Sequence, residues 1–183
     1  MLQYLPTGQA LTIRPLTMAD APALLASYQK AVSETDMLLL TSSESQSIQL
    51  AMEEEFIRPF TNSTRHLYLV AEVEDDIIGG VSLKRRSVQK QAHLADLGIF
   101  VRKPFQSMGV GRRLMTAMLR WAESNPHIEI ITFEVLANNE KAIYLYHHFG
   151  FEINGKVPQA IKQVNGDYAD ILIMSKIIHA KPN

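Results

Sequence analysis

The stretch from Gln106 to Arg113, Gln-Ser-Met-Gly-Val-Gly-Arg-Arg, combines residue types and spacing that can hold a charged ligand. It lies between an apolar run ending at Val101 and a strongly amphipathic run on its C-terminal side. A strand that feeds a glycine-containing turn and then opens a helix leaves backbone N–H groups unpaired at the positive end of the helix dipole, which suits an anion. Gly109 and Gly111 let the backbone approach a phosphate with no Cβ in the way. Arg102, Lys103, Arg112 and Arg113 gather positive charge around the turn, so a diphosphate fits this chemistry. A plain glycine-rich helix start flanked by surface arginines is the competing reading. Two other phosphate motifs fail. The loop 102–108 is too long for the tight turn of a dinucleotide fold, and Leu114 stands where its third glycine belongs. Gly150 to Val157 resembles a P-loop until Val157, where Ser or Thr must bind magnesium. His147 and His148 are adjacent, about 100° apart on a helix, and cannot chelate one metal, so no metal site is expected.

These residues need elements to position them. Residues 10–16 alternate and stop at Pro15, as a strand does, and Thr17 with Asp20 can cap the next helix. Leu24, Leu25, Tyr28 and Val32 predict that helix over 18–32. A second helix is predicted over 44–58, with Glu53-Glu54-Glu55 on its solvated face. Residues 66–74 and 77–86 read as a hairpin turning at Asp75-Asp76, and 93–101 as a further strand. Residues 108–124 form the clearest helix, with Arg112, Arg113, Thr116, Arg120 and Glu123 on one side and Val110, Leu114, Met118 and Trp121 on the other. A β-branched strand (128–136), a short helix opened by Asn138 or Asn139 and stopped at Gly150, and two closing strands complete the chain. This order predicts an α/β (α+β) fold: one twisted mixed sheet of about seven strands with about four helices, not a bundle or a sandwich.

Composition narrows the chemistry. Of 183 residues, 46% are apolar and 20% charged, which excludes a disordered or fibrous chain. With 18 Lys+Arg against 19 Asp+Glu, there is no global basic field to grip nucleic acid or an anionic membrane, so neither is expected as a partner. The absence of cysteine excludes a disulfide scaffold, a Cys-based zinc site, an iron–sulfur cluster and a thiol nucleophile. No apolar run approaches the ~20 residues that cross a bilayer. The start has neither a basic n-region nor a long apolar h-region. The expectation is a single cytoplasmic domain over 1–183, with its core at about 11–178.

Gln106-x-x-Gly109-x-Gly111, with Asn139-x-x-Ala142 and Leu145-Tyr146-x-x-x-Gly150-Phe151 further along the chain, resembles the GCN5-related N-acetyltransferase (GNAT) family. The stretch Gly150-Phe151-Glu152, then Asn165-Gly166-Asp167-Tyr168-x-Asp170 and Met174, is similar to its bacterial members. The resemblance covers about Leu11 to Ile178 and implies a GNAT fold with acetyl-coenzyme A (acetyl-CoA) as acetyl donor. It implies that Gln106 opens a block in which the amides of Met108, Gly109, Val110, Gly111 and Arg112 hold the coenzyme's pyrophosphate. The strand from Leu97 to Val101 would splay from its neighbour and pair with the pantetheine arm through Ile99, Phe100 and Val101. A backbone N–H near Phe100–Val101 would polarise the thioester carbonyl. Asn139 corresponds to an asparagine that contacts the coenzyme arm, a role compatible with capping a helix. Tyr146 corresponds to the general acid: a thiolate leaves more readily with a proton, and a phenol of pKa near 10 holds one at neutral pH. Tyr146 also reads as a core aromatic at helical spacing.

The acceptor end is less constrained. An amine of pKa near 10.4 must lose a proton before attack, which costs about 4–5 kcal/mol at pH 7 if unassisted. Asp96 on the strand leading to the site is one candidate base. Glu34, in a loop that borders the acceptor site in this family, is the other. Each also reads as an ordinary edge or loop carboxylate. Direct transfer is implied, since no activated Cys or Ser presents itself as a relay. A non-catalytic acyl-CoA-binding or regulatory module of the same fold is the rival reading, and an enzyme acting on protein N-termini rather than a small-molecule amine is another. Glu34, Asp36 and Glu44 would favour a cationic acceptor; Met37-Leu38-Leu39-Leu40 would suit a hydrophobic acceptor or the contact of a homodimer.

Overall fold

In the computed structural model, which describes residues 3–179, the Asp20 carboxylate accepts from both the N–H and the hydroxyl of Thr17, at 2.8 Å each. That box starts a 3-10 turn, Met18–Asp20, which passes into α1 (Ala21–Ser33) with Pro22 in its first turn. Residues 1, 2 and 180–183, the outer ends of the expected domain, lie outside the described residues. Residues 44–58, expected as one helix, form two: α2 (Ser42–Ser47) and α3 (Leu50–Ile57). Thr41 and Glu44 close a capping box that starts α2 early. Ile48 and Gln49 then take extended backbone, ψ 119° and 154°, the first as a β-branched residue favours, and α3 starts after Gln49 without a side-chain cap. The acidic run is not wholly solvated either, because Glu53 is buried with Ile57 and Phe60 at one helical spacing.

The strands are β1 (Gln3–Tyr4), β2 (Ala10–Pro15), β3 (His66–Val73), β4 (Asp76–Arg85), β5 (Leu94–Val101), β6 (Ile130–Leu136), β7 (Glu152–Lys162) and β8 (Tyr168–Ile177). They hydrogen-bond in the order β1-β2-β3-β4-β5-β6-β8-β7, a mixed sheet of eight strands rather than about seven; the addition is the two-residue β1. With α4 (Val110–Glu123) and α5 (Glu140–His148) there are five α-helices among the described residues, the extra one arising from the break at Ile48.

Two compact units are distinguishable. The first takes the described residues up to Lys84 together with Gly98–Met118. In it β2, β3 and β4 run antiparallel. Their hairpin turns at Glu74-Asp75, one residue earlier than expected, because both take positive φ (51° and 64°) and so form a two-residue turn whose twist suits a hairpin, while Asp76 pairs with Val73. Leu16, Leu24, Ile57, Phe60, Tyr68, Val70 and Phe100 form its core. Along α4, Val110, Leu114 and Met118 are buried as their spacing predicts, and Met115 is buried with them; Leu119, also buried, and Trp121, partly exposed, fall in the second unit.

The second unit takes Arg85–Leu97 and the described residues from Leu119 on. Here the start of β5 pairs in parallel with β6, from Leu94↔Ile130 to Asp96↔Thr132, and β6 pairs antiparallel with β8 from Ile130↔Ile177 to Leu136↔Ile171. β7 pairs with β8 through two register shifts, at Ile153/Gly155 and Val157/Ile161, the second containing Pro158. No described helix is long and apolar enough to cross a membrane.

Candidate active site

The parallel ladder of β5 and β6 ends at Asp96↔Thr132, and β5 runs on through Leu97–Val101 past that last pair. On its β4 side the strand is tightly held: the Arg102 N–H donates to the Ile78 carbonyl at 2.9 Å. A Cβ at Gly79 would sit 2.7 Å from the Phe100 carbonyl oxygen, so β4 needs a glycine there. The Gln106 amide donates to the Val101 carbonyl (3.0 Å) and fixes the strand's exit. The Glu34 carboxylate accepts from the Lys103 N–H (2.7 Å), tying the end of α1 to the 3-10 turn Lys103–Phe105.

Beyond that turn, Ser107 and Gly109 take left-handed backbone, φ 61° and 81°, a conformation that only glycine adopts without cost. The Arg113 guanidinium donates to the carbonyls of Met108 (3.2 Å) and Tyr4 (3.0 Å), bracing the turn from behind. The Arg113 N–H is taken by the Gly109 carbonyl (3.1 Å), but among the described residues no backbone carbonyl accepts from any amide between Ser107 and Arg112. Unpaired amides at the start of a helix make an anion site. Of the four cations expected around it, Arg102 is bound to Asp76 (2.6 Å) and lies over the Phe105 ring, and Arg113 serves as the brace. Lys103 and Arg112 are exposed. Val110 is buried and anchors the first turn, with Gly111 next to it. Glu34, Ile99, Phe100, Val101, Gln106 and Met108–Arg112 therefore all belong to the first unit.

Asp96, Asn139 and Tyr146 belong to the second unit. Tyr146 is buried on α5, its ring 4.4 Å from that of Phe133 and 6.3 Å from that of Phe151. Burial pushes its phenol up, so it keeps its proton throughout the neutral range. The Asn139 side chain accepts from the Ala142 N–H (3.2 Å) and caps α5. Asp96 is gripped by Arg86 through contacts of 3.1, 3.1 and 2.8 Å, and that bond raises the guanidinium's pKa. Both carboxylates named as candidate bases thus have protein partners, Asp96 a guanidinium and Glu34 a backbone amide.

Sequence reading passed over Glu53 on α3. It is 7% exposed, and burial holds its carboxyl above the ordinary range. Its charge, added to burial, also raises the phenols of Tyr28 and Tyr68. The available signal was its spacing: 53, 57 and 60 share a helical face with two apolar residues. The bracing role of Arg113 had no comparable signal.

A model of the acetyltransferase (GNAT) domain matches residues 13–173. The chain is similar to the L-amino acid N-acetyltransferase AaaT of Escherichia coli, 29% identical over 109 residues, covering 60% of this chain and 67% of that protein. An acetyltransferase of the GNAT family from Streptococcus pneumoniae superposes with a TM-score of 0.86 at 25% identity, covering 91% of this chain and 99% of that one. The putative acetyltransferase yncA of Salmonella typhimurium, solved with its cofactor acetyl-CoA, shares the fold at a TM-score of 0.81 and 22% identity, covering 94% and 98%.

Proposed function

The chain belongs to the GNAT acetyltransferase family and is an N-acetyltransferase; we propose that it takes the acetyl group from acetyl-CoA and passes it directly to the primary amine of a small molecule. The observation that carries this is the run from Gly98 to Arg112, in which one stretch of chain supplies a strand continuing past its parallel ladder and then a turn of unpaired amides. The residues present fit the coenzyme. Gly109 at φ 81° keeps the turn bare of side chain, and the amides of Met108 to Arg112 suit its diphosphate. Bound there, acetyl-CoA would supply an acyl group already activated as a thioester.

The chain's own residues divide the remaining work. The backbone of Ile99, Phe100 and Val101 aligns the coenzyme arm, and an N–H near Phe100–Val101 polarises the acetyl carbonyl. Gln106 holds the strand end in place through its bond to Val101. Asn139 caps α5 and in doing so orients Tyr146, whose protonated phenol is the proton source for the departing sulfur. The absence of cysteine supports direct transfer over a covalent thiol relay. The similarity to an L-amino acid N-acetyltransferase supports a small acceptor over a protein N-terminus.

The test is acetyl-CoA consumption with polyamines, amino acids, aminoglycosides and N-terminal peptides, for wild type and Tyr146→Phe. Turnover with a small-amine class is expected, falling at least about ten-fold in the variant while coenzyme affinity stays constant. Turnover untouched by the substitution removes Tyr146 as the acid. Tight coenzyme binding without turnover of any class favours a non-catalytic acyl-CoA-binding module.

A further inference from the structure

A carboxylate withdrawn from water costs several kcal/mol unless a cation or hydrogen-bond donors meet it. Glu53 is 7% exposed, and among the described residues no hydrogen bond or ion pair reaches its side chain. Glu55, two residues on, is exposed and paired with Arg58 at 2.8 Å. Two of the side chains that feel the charge of Glu53 are aromatic. Tyr28 of α1 and Tyr68 of β3 lie within range of its charge. Tyr28 meets the Phe100 ring edge-on at 5.4 Å, and Tyr68 meets Phe60 edge-on at 5.4 Å. A Cβ at Gly80 would fall 3.2 Å from the Tyr68 hydroxyl and 3.3 Å from the edge of Phe100, so β4 carries a glycine where these two side chains converge. Leu38, from the loop after α1, packs on the same cluster. Every one of these residues lies in the first unit, and Phe100 is part of β5, the strand that aligns the coenzyme arm in the proposed reaction.

We propose that Glu53, beside Tyr28 and Tyr68, receives the ammonium group of the acceptor, and that the acceptor is a primary amine on an apolar or aromatic body. This rests on the N-acetyltransferase reading and names its acceptor end. An ammonium is the partner that relieves a buried carboxylate. The ring faces add cation–π attraction, and their apolar edges select the body that carries the amine. An acceptor with a second carboxylate beside its amine would bring like charge to Glu53 and be disfavoured.

The experiment uses the full chain with acetyl-CoA, taking 2-phenylethylamine and L-glutamate as acceptors. For wild type, kcat/KM is expected to be at least about ten-fold higher for 2-phenylethylamine, one decade being about 1.4 kcal/mol. In Glu53→Gln the KM for 2-phenylethylamine should rise at least ten-fold with the KM for acetyl-CoA within two-fold. Glu53→Asp should recover part of the loss, and Glu54→Gln should behave as wild type. A purely structural role would shift the melting temperature and leave the acceptor KM in place. A measurement needing no variant is the melting temperature of the coenzyme-bound wild type: 2-phenylethylamine should raise it, and the neutral isostere 2-phenylethanol should not. An unmoved acceptor KM in Glu53→Gln, equal shifts from amine and alcohol, or preference for glutamate each overturn the assignment while leaving the transferase reading standing. Absence of turnover with any amine, with acetyl-CoA bound, removes both.

Discussion

The turn between Arg102 and Arg113 and the ring cluster around Glu53 leave opposite charges unanswered. Among the described residues, the backbone N–H groups from Ser107 to Arg112 meet no backbone carbonyl, and the carboxylate of the 7%-exposed Glu53 has no cation beside it. The first is made of peptide units from one short stretch, the second of side chains from α1, α3, β3 and β5. An array of backbone donors tolerates most side-chain changes and fails when a φ angle is blocked or a competing acceptor is added. A pocket of side chains can fail through a single atom. In the proposed reaction, substrate range can therefore drift at the cluster while the coenzyme turn stays as it is.

The largest test of this contrast is Gly111→Asp. A carboxylate at the second residue of α4 would accept the free amides itself and repel a diphosphate. Acidic residues at a helix start are otherwise favourable, so the fold should keep or gain stability. The dissociation constant for acetyl-CoA, measured by calorimetry, should rise roughly 100-fold, or about 2.7 kcal/mol. An unchanged constant would mean that the turn does not hold the coenzyme.

Next in size is a pair of melting series against pH. The Glu53 carboxyl is held above its ordinary value near 4.5, so its contribution to stability is present below that value and lost as pH rises through the raised one. Glu53→Leu should thus stabilise the ligand-free protein at pH 7 by about 1 kcal/mol, or roughly 2–4 °C, and the gain should shrink towards pH 4. Asp20 is the reverse case. Its hydrogen bond to Arg14 lowers it from 3.8 to about 2, so its contribution is present above the ordinary value and lost as pH falls through about 2. Asp20→Asn should lower the melting temperature at pH 7, with the loss fading in acid. Slopes of the same sign would break the distinction between an answered carboxylate and an unanswered one.

Smallest is Glu34→Gln, which replaces a charged acceptor of the Lys103 N–H by a neutral one. The expected change is about a three-fold rise in the acetyl-CoA dissociation constant, or roughly 0.6 kcal/mol. No change would mean that the turn keeps its shape without its tether to α1.

Legibility in the amino-acid sequence obeys the same division. The turn could be read because its demands fall on neighbouring residues: a positive φ at Gly109, an apolar anchor at Val110, a strand before and an amphipathic helix after. The mixed sheet was legible for a similar reason, since its ladders impose alternation on each strand. The break at Ile48-Gln49 was not, because Thr41 set the phase of α2 through a capping box outside the predicted helix. Glu53 was hidden by its neighbours: three consecutive glutamates read as a wet surface, and only its burial, within range of Tyr28 and Tyr68, separates the first from the others. The grip of Arg86 on Asp96 likewise joins two strand ends ten positions apart, a pairing with no local signature.

β7 ends the strand order of the sheet, where a straight strand would present an unbroken row of hydrogen-bonding groups to any passing chain. Its two register shifts interrupt that row. Pro158 contributes no N–H, Gln159 turns to φ 51° with its N–H already given to Asp170 at 2.8 Å, and Lys156 adds an ion pair to the same carboxylate. Such an interrupted edge is a poor template for pairing with further copies. The irregularities of β7 thus act as a guard against polymerisation, built into the backbone itself.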